Sequence, residues 1–197
     1  RELGAPLAEK FESFDAEPLA AASLGQVHRA RLKVGEDADF RDVVVKVQRP
    51  HIASIVDVDL SALQRVGNWL TRYRPIREHA DVPALLREFS STVREEIDYL
   101  QEAENARIFF ENFKDDRDVR VPRVILNLTT LRVLTLEDVF AIKITDYEAI
   151  SAAGIERGAV AHKLLDVYLE QIFEDGFFHA DPHPGNLFVT PLPPKKG

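Results

Sequence analysis

Apolar residues occur along this chain in two patterns: short continuous runs, and positions that recur every three or four residues. Short runs rich in β-branched residues and bounded by polar or turn-forming residues are typical of strands. Such runs occur in the first fifty residues and again after residue 120. They predict strands near residues 14–16, 27–32, 43–48, 124–126 and 131–136.

Three longer segments have the spacing of amphipathic helices. The first covers residues 57–73, and the last covers residues 155–174 and is followed by Gly176, a residue that commonly ends helices. Between them, a helix is predicted to begin at Asp81, an N-cap residue type, with Pro83 in its first turn. Arg74 and Pro75 are assigned to the loop that precedes it.

The middle helix is strongly acidic, and its apolar positions recur at helical spacing as far as Leu100. On one continuous helix, Asp98 and Glu102 lie one turn apart and share a face, whereas Glu96 points roughly the opposite way. A solvated face is the usual explanation for such a run of charges. The spacing alone therefore leaves open whether these carboxylates have a specific role.

Composition and charge narrow the class of protein. The chain has 197 residues, of which 45% are hydrophobic, enough for one domain of two lobes with a substantial core. Its formal net charge of -8 argues against general nucleic-acid binding, which requires concentrated Lys and Arg. With no cysteine, disulfides and thiolate metal sites are excluded. No signal peptide and no apolar run of 18 residues or more is visible, so no membrane span is expected.

The segment from His179 to Asn186, HADPHPGN, is the most informative motif. Asp181 and Asn186 have the spacing of the kinase catalytic loop H-R-D-x-x-x-x-N, in which the Asp orients the attacking group and the Asn holds Mg²⁺. One alternative is a proline-rich turn in which both residues only cap backbone groups. Another is a zinc site of His179, His183 and Asp181, although carboxylate and amide oxygens suit Mg²⁺ better. Residues 186–190 read as a short strand that leads into a hairpin.

A single lysine, Lys46, interrupts the apolar strand at residues 43–48. Burying an isolated ammonium is unfavourable unless an anion meets it, so Lys46 needs a carboxylate or a phosphate. In kinases the equivalent lysine meets both. The alternative is an edge strand from which Lys46 points into solvent.

A run of small residues, PLAAASLGQVH, precedes this strand. Small side chains allow a backbone to approach phosphates closely, as glycines do in other nucleotide loops. Alanine has less conformational freedom than glycine, so such a loop would be stiffer. Three consecutive alanines on their own favour a helical turn instead.

Five motifs in this order, PLAAASLGQVHRA, VVVKVQRP, EEIDYLQEAEN, LTLED and GFFHADPHPGN, resemble the UbiB/AarF atypical kinase family. These kinase-like proteins are associated with coenzyme Q and isoprenoid-lipid metabolism. The resemblance runs from about Phe14 to Val189. It implies an α+β, protein-kinase-like fold with an N-lobe of sheet and helices over residues 1–138. Residues 139–197 would form the start of a truncated helical C-lobe.

The resemblance also assigns roles to individual residues. Asp181 would be the catalytic residue, Asn186 the metal ligand, and Glu96 with Asp98 the family's E-x-D motif, a regulatory element. Lys46 would bind ATP and pair with Glu102. The nucleotide-binding residues would be Leu19, Ala20, Ala21, Ala22, Ser23, Leu24, Gly25, Gln26, Val27, Lys46, Glu102 and Glu137, the last at the crossing between lobes.

The function implied is that of an atypical ATP-dependent kinase or ATPase that uses ATP and Mg²⁺ and supports ubiquinone or isoprenoid-lipid metabolism. Its partners would be the nucleotide and an isoprenoid lipid or coenzyme Q biosynthesis proteins. A non-catalytic, nucleotide-gated scaffold that binds ATP or a lipid is the main alternative. A small-molecule phosphotransferase of the aminoglycoside or choline type is a third reading, since these enzymes share the HxDxHxGN motif.

Three features of the family pattern are not found in this sequence. No K-x-G-Q motif precedes Phe14, no Asp-Phe-Gly occurs before Gly197, and Phe140-Ala141 occupies the stretch after Asp138 that often contains a glycine in relatives. The Asp-Phe-Gly aspartate supplies the principal Mg²⁺ ligand in this architecture. We therefore expect the chain as given to show little phosphoryl transfer even where the full-length protein is active.

Overall fold

An antiparallel sheet dominates the first part of the computed structural model, which describes residues 2–21, 24–33 and 40–191. Its strands are paired in the order β1-β3-β4-β5, and β2 also pairs with β3. Their bounds are β1 Phe11–Phe14, β2 Ala20–Ala21, β3 Gly25–Leu32, β4 Asp42–Gln48 and β5 Val133–Glu137. The strands predicted at residues 27–32, 43–48 and 131–136 are thus confirmed, with the last beginning two residues later.

Two predicted strands need correction. The strand expected at residues 14–16 is β1, which ends at Phe14 after a register irregularity in its pairing with β3. The strand expected at residues 124–126 is wrong, because only an isolated bridge at Val124 is present. A 3-10 turn, Leu126–Leu128, follows at once. The main-chain N–H of Leu128 bonds back to Ile125 at 3.1 Å, so the chain turns before a strand can extend.

The two faces of β4 have different surroundings. Val43 and Val45 are 0% and 1% exposed and belong to the apolar core on one face. Because side chains alternate along a strand, Lys46 lies on the opposite face. Leu134 of β5 is directly across from Lys46 and packs there in a second apolar cluster with Tyr99 and Ala103, which lie in a helix between β4 and β5.

Seven α-helices lie within the described residues: α1 Leu7–Lys10, α2 Ile52–Leu70, α3 Arg74–His79, α4 Val82–Glu96, α5 Tyr99–Phe113, α6 Tyr147–Ala152 and α7 Arg157–Glu170. The helix predicted at residues 57–73 is confirmed as α2, which begins five residues earlier. The loop expected at Arg74 and Pro75 is wrong, since both residues belong to α3. A proline is tolerated in the first turn of a helix, where its missing N–H is not needed.

The helix predicted from Asp81 starts as expected but does not continue as one element. The Asp81 side chain accepts the main-chain N–H of Ala84 at 3.0 Å, so the N-cap is confirmed. The helix ends at Glu96, however, and α5 begins only at Tyr99. The prediction of one continuous acidic helix is therefore wrong.

The last third of the chain is mostly helical. Helix α7 continues into a π-helical turn, Gln171–Asp175, and Gly176 ends it with a left-handed φ of 63°. This confirms the predicted helix at 155–174 and its glycine stop. Two short strands, β6 Ile142–Lys143 and β7 Phe188–Val189, pair with each other.

By its contacts the chain divides into two compact units. We call Arg1–Phe109 with Pro122–Asp138 the sheet unit, and Phe110–Val121 with Val139–Gly197 the helical unit. The division into a kinase-like N-lobe over residues 1–138 and a C-lobe from residue 139 stays a prediction. Within the described part of the chain, no helix is both long and apolar enough to cross a membrane.

Candidate functional site

Lys46 lies in the middle of β4 and forms an ion pair with Glu102 of α5. Its Nζ is 2.5 Å from Glu102 Oε1. Strand β4 is paired with β3 on one side and β5 on the other, so the alternative of an edge strand is wrong. The side chains are 28% and 41% exposed. An ammonium group has three N–H donors, so Lys46 can bind Glu102 and still donate to a second anion.

Tyr99 packs beside this ion pair at the start of α5. The Nζ of Lys46 is 5.3 Å from the centre of the Tyr99 ring, within the range of a cation–π contact. Tyr99 is 5% exposed. Burial, followed by the negative charges of Glu102 and Glu96, raises the pKa of Tyr99 to about 12. The phenol therefore stays neutral at physiological pH and supports the lysine as an uncharged aromatic surface.

The break between α4 and α5 places Glu102. Asp98 is the N-cap of α5, because its Oδ1 accepts the main-chain N–H groups two and three residues further on, at 3.0 and 3.1 Å. Its main-chain carbonyl accepts the N–H of Glu102 at 3.1 Å. Asp98 and Glu102 are thus one turn apart as predicted, although Asp98 caps α5 and does not belong to one helix continuous with Glu96. The E-x-D motif instead spans the junction, with Glu96 as the last residue of α4 and Asp98 capping the next helix.

Gln48, which the sequence reasoning did not select, holds this junction against the sheet. Its Nε2 donates to the main-chain carbonyls of Ile97 at 2.6 Å and Leu131 at 3.1 Å. Gln48 is 8% exposed and lies on the same face of β4 as Lys46, two residues away. Gln48 could have been found from the sequence, because it is a second polar residue on that face of an otherwise apolar strand. The interaction connects the strand that carries Lys46 to the break that positions Glu102.

The Ala-rich segment is a β-hairpin in the residues that the structure describes. Strand β2 pairs with β3 so that Ala20 is opposite Val27 and Ala21 is opposite Gln26. The main-chain N–H of Leu19 also bonds to the Val27 carbonyl at 2.8 Å. The helical turn favoured by the alanine run is therefore wrong. Two residues of the predicted site lie outside the described residues: Ala22 and Ser23.

Gly25 begins β3 at a point where two strands and a helix meet closely. A Cβ at this position would lie 2.5 Å from the main-chain oxygen of Val47 and 3.0 Å from the Tyr99 hydroxyl. The preceding residue, Leu24, accepts the main-chain N–H of Arg49 at 3.0 Å. Glycine is thus required by close packing, and the base of the hairpin is fixed next to the side chain that supports Lys46.

Glu137, the residue predicted to bind nucleotide at the end of β5, has a buried carboxylate that is engaged by Arg123. Glu137 is 6% exposed, and its Oε2 is 3.5 Å from Arg123 Nε. The Arg123 guanidinium in turn stacks over the Phe40 ring at 4.4 Å. A role of Glu137 in nucleotide binding stays a prediction.

Asp181 and Asn186, the predicted catalytic and metal-binding residues, are brought together within the helical unit. Asn186 Nδ2 donates to Asp181 Oδ2 at 2.8 Å, and the His183 main-chain N–H donates to Asp181 Oδ1 at 3.3 Å. Because the amide nitrogen faces the carboxylate, the carbonyl oxygen of Asn186 is the atom free to face a metal ion. Asp181 Oδ1 also caps a main-chain N–H, so the interpretation as a turn with capping residues stays an alternative to the catalytic one.

The loop leads into the short strand that was predicted, but its partner is distant in sequence. Phe188 of β7 is opposite Lys143, and Val189 is opposite Ile142. The predicted strand is confirmed, whereas the hairpin is wrong. The pairing anchors the end of the loop to a segment more than forty residues earlier.

The donor set of the loop fits Mg²⁺ better than zinc. No group of three or more His, Cys, Asp or Glu side chains that could hold a metal ion is found among the described residues. The Nδ1 atoms of His179 and His183 accept main-chain N–H groups of the loop itself, at 3.2 and 3.0 Å. The oxygen atoms of Asp181 and Asn186 are candidate ligands of the kind that Mg²⁺ prefers.

Comparisons with known proteins cover nearly the whole chain. A family model described as the ABC1 atypical kinase-like domain matches residues 1–195. The chain is 45% identical over 95% of its length to the chloroplastic protein ACTIVITY OF BC1 COMPLEX KINASE 8 of Arabidopsis thaliana, covering 24% of that protein. It is 37% identical over 98% of its length to the probable protein kinase UbiB of Vibrio cholerae, covering 35% of that protein.

A solved structure supports the fold. The chain matches Rv3197 of Mycobacterium tuberculosis, determined in complex with erythromycin, with a TM-score of 0.79 and 29% identity. The match covers 96% of this chain and 46% of that one.

An uncharacterized protein of Synechocystis is 44% identical over 96% of this chain, which covers 32% of that protein. The chain thus spans about a third or less of the length of these curated relatives.

Proposed function

Because the chain belongs to the ABC1 atypical kinase-like domain family, we propose that it binds ATP with Mg²⁺ and serves phosphoryl transfer or ATP hydrolysis. The observation that carries this proposal is the Lys46–Glu102 ion pair at 2.5 Å, in the strand and helix where the kinase pattern requires it. The hydrogen-bonded pair of Asp181 and Asn186 supports the catalytic half of the proposal.

In the sheet unit, Lys46 would hold the phosphates of the nucleotide and Glu102 would orient Lys46. The ammonium is partly exposed, so it can donate to phosphate oxygens without leaving the carboxylate. Asp98 caps the first turn of the helix that carries Glu102, and Gln48 connects that junction to β4. These contacts restrain the pair before any ligand binds, which lowers the entropy lost on binding.

In the helical unit, Asp181 would orient the attacking hydroxyl or water through its carboxylate. Asn186 would hold Mg²⁺ through its carbonyl oxygen, while its amide nitrogen fixes Asp181. When bound, Mg²⁺ would neutralise charge on the β- and γ-phosphate oxygens. The protein's own contribution is positioning and electrostatic stabilisation, because phosphoryl transfer requires little covalent chemistry from side chains.

The biological setting that we propose is ubiquinone or isoprenoid-lipid metabolism. Similarity to a probable protein kinase UbiB and the family motifs support this setting. The expected partners are an isoprenoid lipid or coenzyme Q biosynthesis proteins. The activity and partners of the whole protein are proposals, since the chain corresponds to only part of each relative.

The test is Mg²⁺-dependent ATP binding and turnover by the full-length protein and its variants. Lys46→Met removes the charge from a side chain of similar size, so nucleotide affinity should fall about ten-fold or more with the fold retained. Lys143→Met, at an exposed lysine of β6, is the matched control. Asp181→Asn should abolish most turnover with little effect on ATP affinity, whereas Asp166→Asn on the exposed face of α7 should not.

The outcomes separate the candidate functions. ATP binding that depends on Lys46, together with turnover that depends on Asp181, supports an enzyme. Lys46-dependent binding without Asp181-dependent turnover would favour the non-catalytic, nucleotide-gated scaffold. Equal nucleotide affinity of Lys46→Met and Lys143→Met would refute the assignment of Lys46 in either case.

A further inference from the structure

A buried hydroxyl on α7 lacks the partner that such groups normally have. Tyr168 Oη is buried and has no hydrogen-bond partner among the described residues. The great majority of buried polar side-chain atoms are hydrogen-bonded, so an exception of this kind needs an explanation. Tyr168 lies in the last turn of α7, three residues before Gln171, so both side chains are on one face of the helix.

Gln171 shows what that face of the helix contacts. Its side chain is buried, with 5% exposure, and Oε1 accepts the main-chain N–H of His179 at 2.9 Å. The Nδ1 of His179 then accepts the main-chain N–H of Asp181 at 3.2 Å. Gln171 therefore fixes the loop backbone two residues before Asp181. The helix face that carries Gln171 and Tyr168 is thus bonded to this loop through Gln171.

The carboxylate of Asp181 has capacity for another donor. It accepts one hydrogen bond on each oxygen, from Asn186 Nδ2 at 2.8 Å and from the His183 main-chain N–H at 3.3 Å. An ionised carboxylate offers about four acceptor sites, so about two remain. A further donor can therefore bind the carboxylate while Asn186 keeps its bond to Oδ2 and presents its carbonyl oxygen to a metal ion.

We propose, on the basis of the function proposed above, that Gln171 and Tyr168 are positioning residues for Asp181. Gln171 holds the loop backbone at His179, and the Tyr168 hydroxyl donates to the Asp181 carboxylate when Mg²⁺ and nucleotide engage Asn186. This bond would give the buried hydroxyl the partner that such groups normally have. Burial and the charge of Asp181 raise the pKa of Tyr168, so the phenol keeps the proton that it would donate.

The first test compares Tyr168→Phe with Tyr147→Phe in the full-length protein. Tyr147 is 53% exposed, so its variant is a matched control that removes a hydroxyl away from this face. Loss of one hydrogen bond to a charged acceptor should lower the kcat of Tyr168→Phe about ten-fold or more. The KM for ATP should rise as well, because an interaction that is absent from the free enzyme and forms in the nucleotide-bound enzyme contributes to binding. Thermal stability should be unchanged or slightly higher, because no resting-state bond is lost.

Gln171→Met should differ from Tyr168→Phe in its effect on stability but not in its effect on turnover. It removes the acceptor of the His179 N–H in the resting state, so it should lower both thermal stability and kcat. Both variants would then have a lower kcat, although only Gln171→Met would also be less stable. A kcat of Tyr168→Phe equal to that of Tyr147→Phe would overturn the proposal.

A second measurement does not depend on turnover. With 3-fluorotyrosine at position 168 of the full-length protein, fluorine NMR is recorded before and after addition of Mg²⁺ and a non-hydrolysable ATP analogue. The resonance should shift on addition, and Asp181→Ala should abolish that shift. An unmoved resonance, or the same shift in Asp181→Ala, would overturn the proposal. If the wild type shows no Asp181-dependent turnover, the proposed function fails, but the fluorine signal still decides whether Tyr168 donates to Asp181.

Discussion

Replacing Gln48 by Leu tests whether a side chain from the sheet holds the helix junction that positions Glu102. Gln48 is 8% exposed and donates to two main-chain carbonyls, those of Ile97 at 2.6 Å and Leu131 at 3.1 Å. Leucine is close to glutamine in size, so the substitution leaves little cavity. It removes both donors while the two carbonyls stay in place.

The magnitude follows from these two acceptors. A buried polar group left without its partner destabilises a protein by about 1–3 kcal/mol, and carbonyls lie towards the lower end because water or a second donor can satisfy them in part. Leu131 still accepts the main-chain N–H of Tyr99 at 3.2 Å, so the Ile97 carbonyl is the acceptor that loses its donor, at about 2 kcal/mol, from which the better burial of an apolar side chain subtracts about 1 kcal/mol. We therefore expect a net loss of about 1 kcal/mol out of the 5–15 kcal/mol that is typical of folded proteins.

Urea unfolding of the wild type and of Gln48→Leu, with Gln64→Leu as the matched control, measures this loss. Gln64 is exposed on α2, so the same chemical change there should have an effect within about 0.5 kcal/mol. Hydrogen exchange should also show faster exchange at the first turn of α5, where the amides of Tyr99 and Glu102 are bonded to Leu131 and Asp98. Equal stability of Gln48→Leu and Gln64→Leu, with unchanged exchange at α5, would refute the reasoning.

Three further predictions follow from single contacts. Gly25→Ala should destabilise the protein by about 1–3 kcal/mol, because its Cβ would lie 2.5 Å from the main-chain oxygen of Val47, and wild-type urea stability would contradict this. Ala21→Gly should change the affinity for ATP or the preference for ATP over ADP by loosening the hairpin, and identical titrations would reduce the segment to a structural turn. The bond to Lys163, 2.6 Å long, lowers the pKa of Asp116, so the pair should stabilise the folded state above the ordinary pKa of aspartate and lose that contribution as the pH falls through the lowered value. Stability measured between pH 7 and pH 2 should therefore fall less steeply for Asp116→Asn than for the wild type, and parallel curves would rule out this linkage.

Local features of the sequence determined most of the elements and two parts of the candidate site. The β-branched run at residues 43–48 forms β4, the cap at Asp81 starts α4, and Gly176 ends the segment before the loop. The spacing of Asp181 and Asn186 also brings their side chains together, since both lie in one short loop. These outcomes depend on backbone preferences and on residues a few positions apart, which a pattern along the chain records directly.

Contacts between distant segments were decided only by the tertiary structure. The acidic helix breaks at Ile97, whose carbonyl is bonded by Gln48, a residue 49 positions earlier. Periodicity favoured continuation there, because a helical pattern carries no information about a partner on another strand. The orphan hydroxyl of Tyr168 and the support of the loop by Gln171 likewise depend on how a helix packs against a distant loop. Local propensity determines where helices and strands form. Packing determines which polar groups meet, because each buried polar group must form a hydrogen bond with a group that the fold brings close to it.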